Sequence, residues 1–179
     1  MSTDAKKVIL PAQDSNNQNQ QKLVSRIKFM RVAAKEAAKN LSTVEGGPFG
    51  AVIVKDGKII SQAHNQVLKE NDPTCHAEIQ AIRAACKLLG THNLRGCELY
   101  ASAQPCPMCL SAIIWANIAT VYYGNTAKDA AAIGFRDDAI CNFILGGSKD
   151  TSILKLIPMD RKDTLPTFAA YKAQKLPLY

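Results

Sequence analysis

Apolar positions along the chain fall into alternating helical and extended periods. Leu23, Ile27, Met30, Ala34, Ala37 and Leu41 step by four, three, four, three and four, the stripe of an amphipathic helix. After the loop Ser42–Pro48, the β-branched runs Phe49–Lys55 and Lys58–His64 flank Asp56-Gly57, a favoured two-residue hairpin turn. A second helical stripe, Ile79, Ile82, Cys86 and Leu89, follows Pro73-Thr74. Thr74 suits its N-cap and Gly90 its C-terminal stop. Cys97–Ser102 and Ala119–Gly124 read as strands. Cys106–Asn117 reads as a helix with Pro107 at its first position, where the missing N–H costs nothing. Thr126–Ile133 reads as a short helix, Ser152–Ile157 as a further strand, and a last helix begins near Pro166. This order predicts an α/β fold: a three-layer α/β/α sandwich with a mixed sheet, antiparallel only at the opening hairpin.

Composition adds little to that picture. The 179 residues suit one domain, 22–179, and 47% hydrophobic with 21% charged residues is ordinary globular usage. Residues 1–21 read as a flexible tail, because seven of the nine residues from Gln13 to Gln21 are Asn or Gln. No apolar run reaches the ~18–20 residues of a membrane span, and Val8-Ile9-Leu10 is cut short by Pro11. The expected location is the cytoplasm, with no membrane partner. There the six cysteines suit metal ligation or core packing better than disulfides. The net charge of +7 comes from the ends: residues 1–45 carry +4, 46–140 zero and 141–179 +3. Nucleic acid is therefore not the expected partner, although a phosphate-binding face built from the ends stays open.

The chemistry sits in the neutral middle. Cys75-His76-Ala77-Glu78 and Pro105-Cys106-Pro107-Met108-Cys109 each open a predicted helix. First-turn side chains lean back toward the helix start, so two such openings can converge on one point. His76, Cys106 and Cys109 then supply one imidazole and two thiolates, three zinc ligands with a fourth position left for water. Helix N-termini favour the thiolate form. Glu78 need not be a ligand, and a carboxylate beside such a water can take its proton. Cys86 and Cys97 read as core.

The pattern His-x-Glu followed by Pro-Cys-x-x-Cys marks zinc-dependent nucleobase deaminases. The chain resembles the cytidine deaminase-like superfamily from about Gly46 to Phe135. Within it, Gly47–Val54, Asn71–Thr74, Ile113–Ala116 and Asp129–Phe135 look like the bacterial-type guanine deaminases. The resemblance implies one Zn2+ per chain on His76, Cys106 and Cys109, with Glu78 as proton shuttle. It implies a small purine base as substrate and conversion of guanine to xanthine and ammonia. Asn65 looks like the amide that hydrogen-bonds the purine, and Phe49 and Trp115 like apolar walls. The backbone N–H groups of Ala77 and Cys106 look like substrate contacts, Asp137 like an acidic contact, and Tyr179 like the family's C-terminal tyrosine. In that family the C-terminal segment, here 136–179, crosses to a partner and closes its pocket. The resemblance thus implies a domain-swapped homodimer with Asp137 and Tyr179 acting in the partner's site. Three positions depart from the pattern: Gln104 where Glu often stands, Arg136 where Asp often stands, and Cys75 for a small residue. The alternatives are a tRNA adenosine deaminase, a deaminase of cytosine or a triazine, or a zinc-stabilised binding module that does not need Glu78.

Overall fold

The computed structural model describes residues 13–178. Its elements in chain order are α1 (Gln13–Thr43), β1 (Gly50–Lys55), β2 (Lys58–His64), α2 (Val67–Glu70), α3 (Ala77–Leu89), β3 (Cys97–Ala103), α4 (Pro107–Trp115), β4 (Thr120–Asn125), α5 (Ala127–Ala132), α6 (Asp137–Leu145) and α7 (Arg161–Ala173). The strands form one mixed sheet in the order β2-β1-β3-β4. β1 pairs antiparallel with both neighbours, and β3 with β4 is parallel. The antiparallel part is therefore wider than the hairpin alone. β1 lies between β2 and β3, and α3 carries the chain across it.

Two cores lie on opposite faces of the sheet. Alternation along β1 sends Ala51 and Ile53 toward Ala77, Ala81 and Ala85 of α3 and Ile113 of α4. Val52 and Val54 face Ala33 of α1, together with Tyr100, Phe29 and Met30. The expected three layers are present.

Helix α1 buries a face turned by about one position from the expected stripe, keeping Ala37 and the half-buried Met30 of it. Ala33, Glu36, Ala37 and Asn40 are buried, while Leu23, Ile27 and Leu41 are exposed. The reason lies at Gly50, where a Cβ would meet the Ala33 carbonyl oxygen at 2.2 Å and the Ala37 nitrogen at 2.4 Å. Helix and strand backbones touch there, so small residues have to face the sheet. Residues 13–21, expected as tail, form the start of α1; residues 1–12 lie outside the described residues.

Three further expectations change. Thr74 does not cap α3; His76 does, because Asp72 holds Thr74 in the preceding loop through N and Oγ1, both at 2.7 Å. Residues 152–157 form no strand: Ile153, Leu154, Leu156 and Ile157 are exposed, with no strand beside them. Helix α6 was not expected, although Ile140, Phe143 and Ile144 have helical spacing. Among the described residues no helix is long and apolar enough to cross a membrane.

Candidate active site and metal centre

The ends of α3 and α4 meet as their sequences require. His76 and Cys106 are the N-caps, both in extended backbone with φ −66°, and Pro107 starts α4. Cys109 lies one turn into α4 and is fully buried. His76 Nδ1 stands 3.6 Å from Cys106 Sγ and 3.5 Å from Cys109 Sγ. All three donor atoms lie within 4.8 Å of one another. A tetrahedral zinc with bonds of about 2.0–2.1 Å to nitrogen and about 2.3 Å to sulfur separates N and S by about 3.6 Å. The donor set and spacing therefore fit zinc.

The two thiols share one proton. A hydrogen bond from Cys109, reinforced by His76, lowers the Cys106 thiol to about 4, so it is a ready thiolate. Cys109 is pushed up by sharing its proton with Cys106 and by burial. The Cys106 hydrogen bond raises His76. Burial pushes the Glu78 carboxyl up to about 7, with the Cys106 charge adding to the rise. Glu78 is 7% exposed, in the first turn of α3.

These groups open onto a cavity of about 590 Å3. Phe49, Asn65, His76, Glu78, Cys106 and Asp137 line it. Burial raises the Asp137 carboxyl. Asp137 lines the cavity of its own chain, whereas the swapped arrangement places it in a partner's. Ala77 opens α3 between His76 and Glu78, with its side chain in the core. Trp115 is not on this cavity. It sits at the far end of α4, 64% exposed, beside Phe168 and Leu178 in a second cavity. The role expected of it as a wall fails within one chain because it lies at the opposite end of α4 from Cys106. Tyr179 lies outside the described residues. Cys75 is outside the metal cluster; its thiol contacts Asp72 Oδ2 at 3.3 Å.

Sequence reasoning missed Phe135, which meets Phe49 edge to face at 4.7 Å, and the wall residues Met108 and Ile140. Gln104 and Arg136, the two charge departures, both line the cavity.

Asn65 is 3% exposed. Its Oδ1 accepts from the backbone N–H groups of Gly47 at 3.3 Å and Val67 at 3.1 Å. Both acceptor positions are used, so Nδ2 is the polar atom left for the cavity.

A family model, the cytidine and deoxycytidylate deaminase zinc-binding region, matches residues 24–125. The chain belongs to this family. The segment includes all three donor residues and Glu78 of the deaminase. Guanine deaminase of Bacillus subtilis (strain 168) is 52% identical to it over 112 residues, 63% of this chain and 72% of the relative. The tRNA-specific adenosine deaminase of Aquifex aeolicus (strain VF5) is 47% identical over 100 residues, 56% of this chain and 66% of the relative. The X-ray structure of the Bacillus subtilis guanine deaminase superposes with a TM-score of 0.72 at 42% identity, covering 82% of this chain and 92% of that one. This deaminase is a zinc-dependent aminohydrolase.

Proposed function

We propose that the enzyme hydrolyses guanine to xanthine and ammonia. The observation that carries this reading is the cavity wall beyond the zinc-binding region. Phe135, Asp137 and Ile140 close one side of the site. The structural similarity to a guanine deaminase is long enough to include such a wall. A wall there suits a small flat base and obstructs a polynucleotide. The Asn65 Nδ2 donor faces an oxygen or ring nitrogen of the base, and Phe49, backed by Phe135, forms one apolar wall beside the ring.

His76, Cys106 and Cys109 hold the zinc, which when bound supplies Lewis acidity and lowers the pKa of a water toward ~7. Glu78 accepts the proton of the attacking water as oxygen adds to the carbon bearing the exocyclic amine. It passes that proton to the adjacent ring nitrogen. It then takes the remaining proton of the added hydroxyl and delivers it to the departing amine, so the carbon–nitrogen bond breaks as the carbonyl forms and ammonia is released. Burial near a carboxyl pKa of about 7 suits a group that takes and returns a proton at neutral pH.

We also infer a homodimer in which the chain after Gly146-Gly147 crosses to a partner and completes its pocket. Between 153 and 178, ten large hydrophobic residues from Ile153 to Leu178 are exposed, and α7 buries none of its residues. A segment with that much uncovered apolar surface fits a partner surface.

A chromatographic screen tests the substrate. Guanine, adenine, cytosine and a tRNA anticodon stem-loop are each incubated with the zinc-loaded protein. Xanthine from guanine is the expected product. Inosine in the stem-loop with guanine unchanged would favour the tRNA-editing relatives instead.

A further inference from the structure

Asn40 of α1 touches neither the metal ligands nor the cavity, yet two walls of the cavity hang from it. It is 7% exposed. Its Nδ2 donates both hydrogens, one to the Gly47 carbonyl and one to the Asn65 carbonyl, each at 2.7 Å. Those two carbonyls fix which end of the amide faces the walls, and its Oδ1 lies 3.0 Å from Thr43 Oγ1, whose one hydrogen is shared between it and the Lys39 carbonyl at 3.1 Å. One side chain thus bridges the loop before β1 and the end of β2. The bridge closes a ring, because Asn65 Oδ1 accepts back from Gly47 N at 3.3 Å. The ring is tight: a Cβ at Gly46 would fall 2.1 Å from Asn65 Oδ1. Helix α1 can hold this bridge steady because its backbone rests directly on Gly50.

We propose that Asn40 is a positioning residue for substrate recognition: it sets the Asn65 amide so that only its Nδ2 donor faces the base. This rests on the reading of Asn65 as the base contact. The consequence is selectivity. A fixed donor pairs with a base edge that offers an acceptor there and disfavours one that offers an amino group, whereas an amide free to flip would accept either. Loss of Asn40 strands the buried Asn65 carbonyl and leaves the Gly47 carbonyl held by Phe49 N–H alone. It thereby loosens the Asn65 backbone and Gly47, one of the two N–H groups that hold the Asn65 amide, and it leaves the zinc ligands alone. A displacement of about 1 Å in a positioning group costs on the order of 100-fold in rate.

A double-mutant cycle tests this, with kcat and KM for guanine measured on zinc-loaded wild type, Asn40→Ala, Asn65→Ala and the double variant. Each single change should lower kcat/KM by roughly 10–100-fold, mainly through KM. The double variant should be no worse than Asn65→Ala alone, and all four should hold one zinc per chain. Equal losses from Asn40→Ala in both backgrounds would overturn the proposal, because the residue would then act on the fold and not through Asn65. An Asn65→Ala enzyme with unchanged kcat/KM would overturn the reading beneath it, and the proposal with it. Should Asn40→Ala fail to fold, Asn40→Asp keeps the size and removes both donors. Thr43→Val removes only the hydroxyl that lies against the Asn40 Oδ1 and the Lys39 carbonyl. Its smaller loss, about 2–10-fold, should also vanish in the Asn65→Ala background; a loss that persisted there would count against the proposal.

Discussion

At the residue scale the metal triad defines the site. His76 and Cys106 are both N-caps, and their extended backbone turns each side chain back over the helix start. The Cys106→Ala variant should lose both zinc and turnover, since two ligands and a water make a poor zinc site; a colorimetric zinc assay beside an activity assay checks it. The triad and Glu78 were legible in the sequence because spacing and helix openings determine them. Asn65 was legible only through resemblance, and its restriction to a donor was not, since that depends on the backbone N–H groups of Gly47 and Val67. Asn40 left no signal at all. A hydropathy pattern has no way to mark a polar residue buried for the sake of two loop carbonyls.

At the element scale the loop between α1 and β1 is tied to α2. Glu45 accepts from His64 at 2.8 Å, Gln66 at 3.2 Å and Lys69 at 3.2 Å. The His64 hydrogen bond leads in lowering its carboxyl from 4.5 to about 2. A depressed carboxyl stabilises the fold fully above its unfolded value and loses that contribution as pH falls toward the folded one. Glu45→Gln should therefore unfold at a lower Tm than wild type at pH 6, and the gap should narrow between pH 5 and about 2. A gap that stayed constant with pH would contradict the ionic role. Gly50→Ala should cost about 1–3 kcal/mol in denaturant melts, because its Cβ meets helix backbone rather than a movable side chain. The same close approach explains the misread face of α1. Regular spacing favoured Ala34 and Leu41 beside Ala37, while the Gly50 contact demanded Ala33 with Ala37 and left Ala34 and Leu41 exposed. The run Ser152–Ile157 has strand composition, but nothing in the described sheet pairs with it.

At the scale of the whole molecule, the layered core and its sheet were readable from periodicity, and the placement of the C-terminal segment was not. Asp137 lies in its own chain's cavity, so the inferred exchange involves the chain after Gly147. Mixed dimers of Glu78→Ala with a chain ended after Gly147 separate the two arrangements. If the segment acts in the partner's site, random mixing restores about a quarter of wild-type sites, by two-fold pairing. If it acts in its own, each site carries a lesion and no activity returns.

The central claim is that this deaminase acts on guanine through a buried carboxyl beside a His-Cys-Cys zinc centre. Its most direct test is guanine turnover in Glu78→Gln, with zinc content measured on the same sample. The account predicts one zinc per chain in both proteins, xanthine and ammonia in equal amounts from wild type, and a loss of at least about 10²–10⁴-fold in the variant. Near-normal turnover by zinc-loaded Glu78→Gln would contradict it.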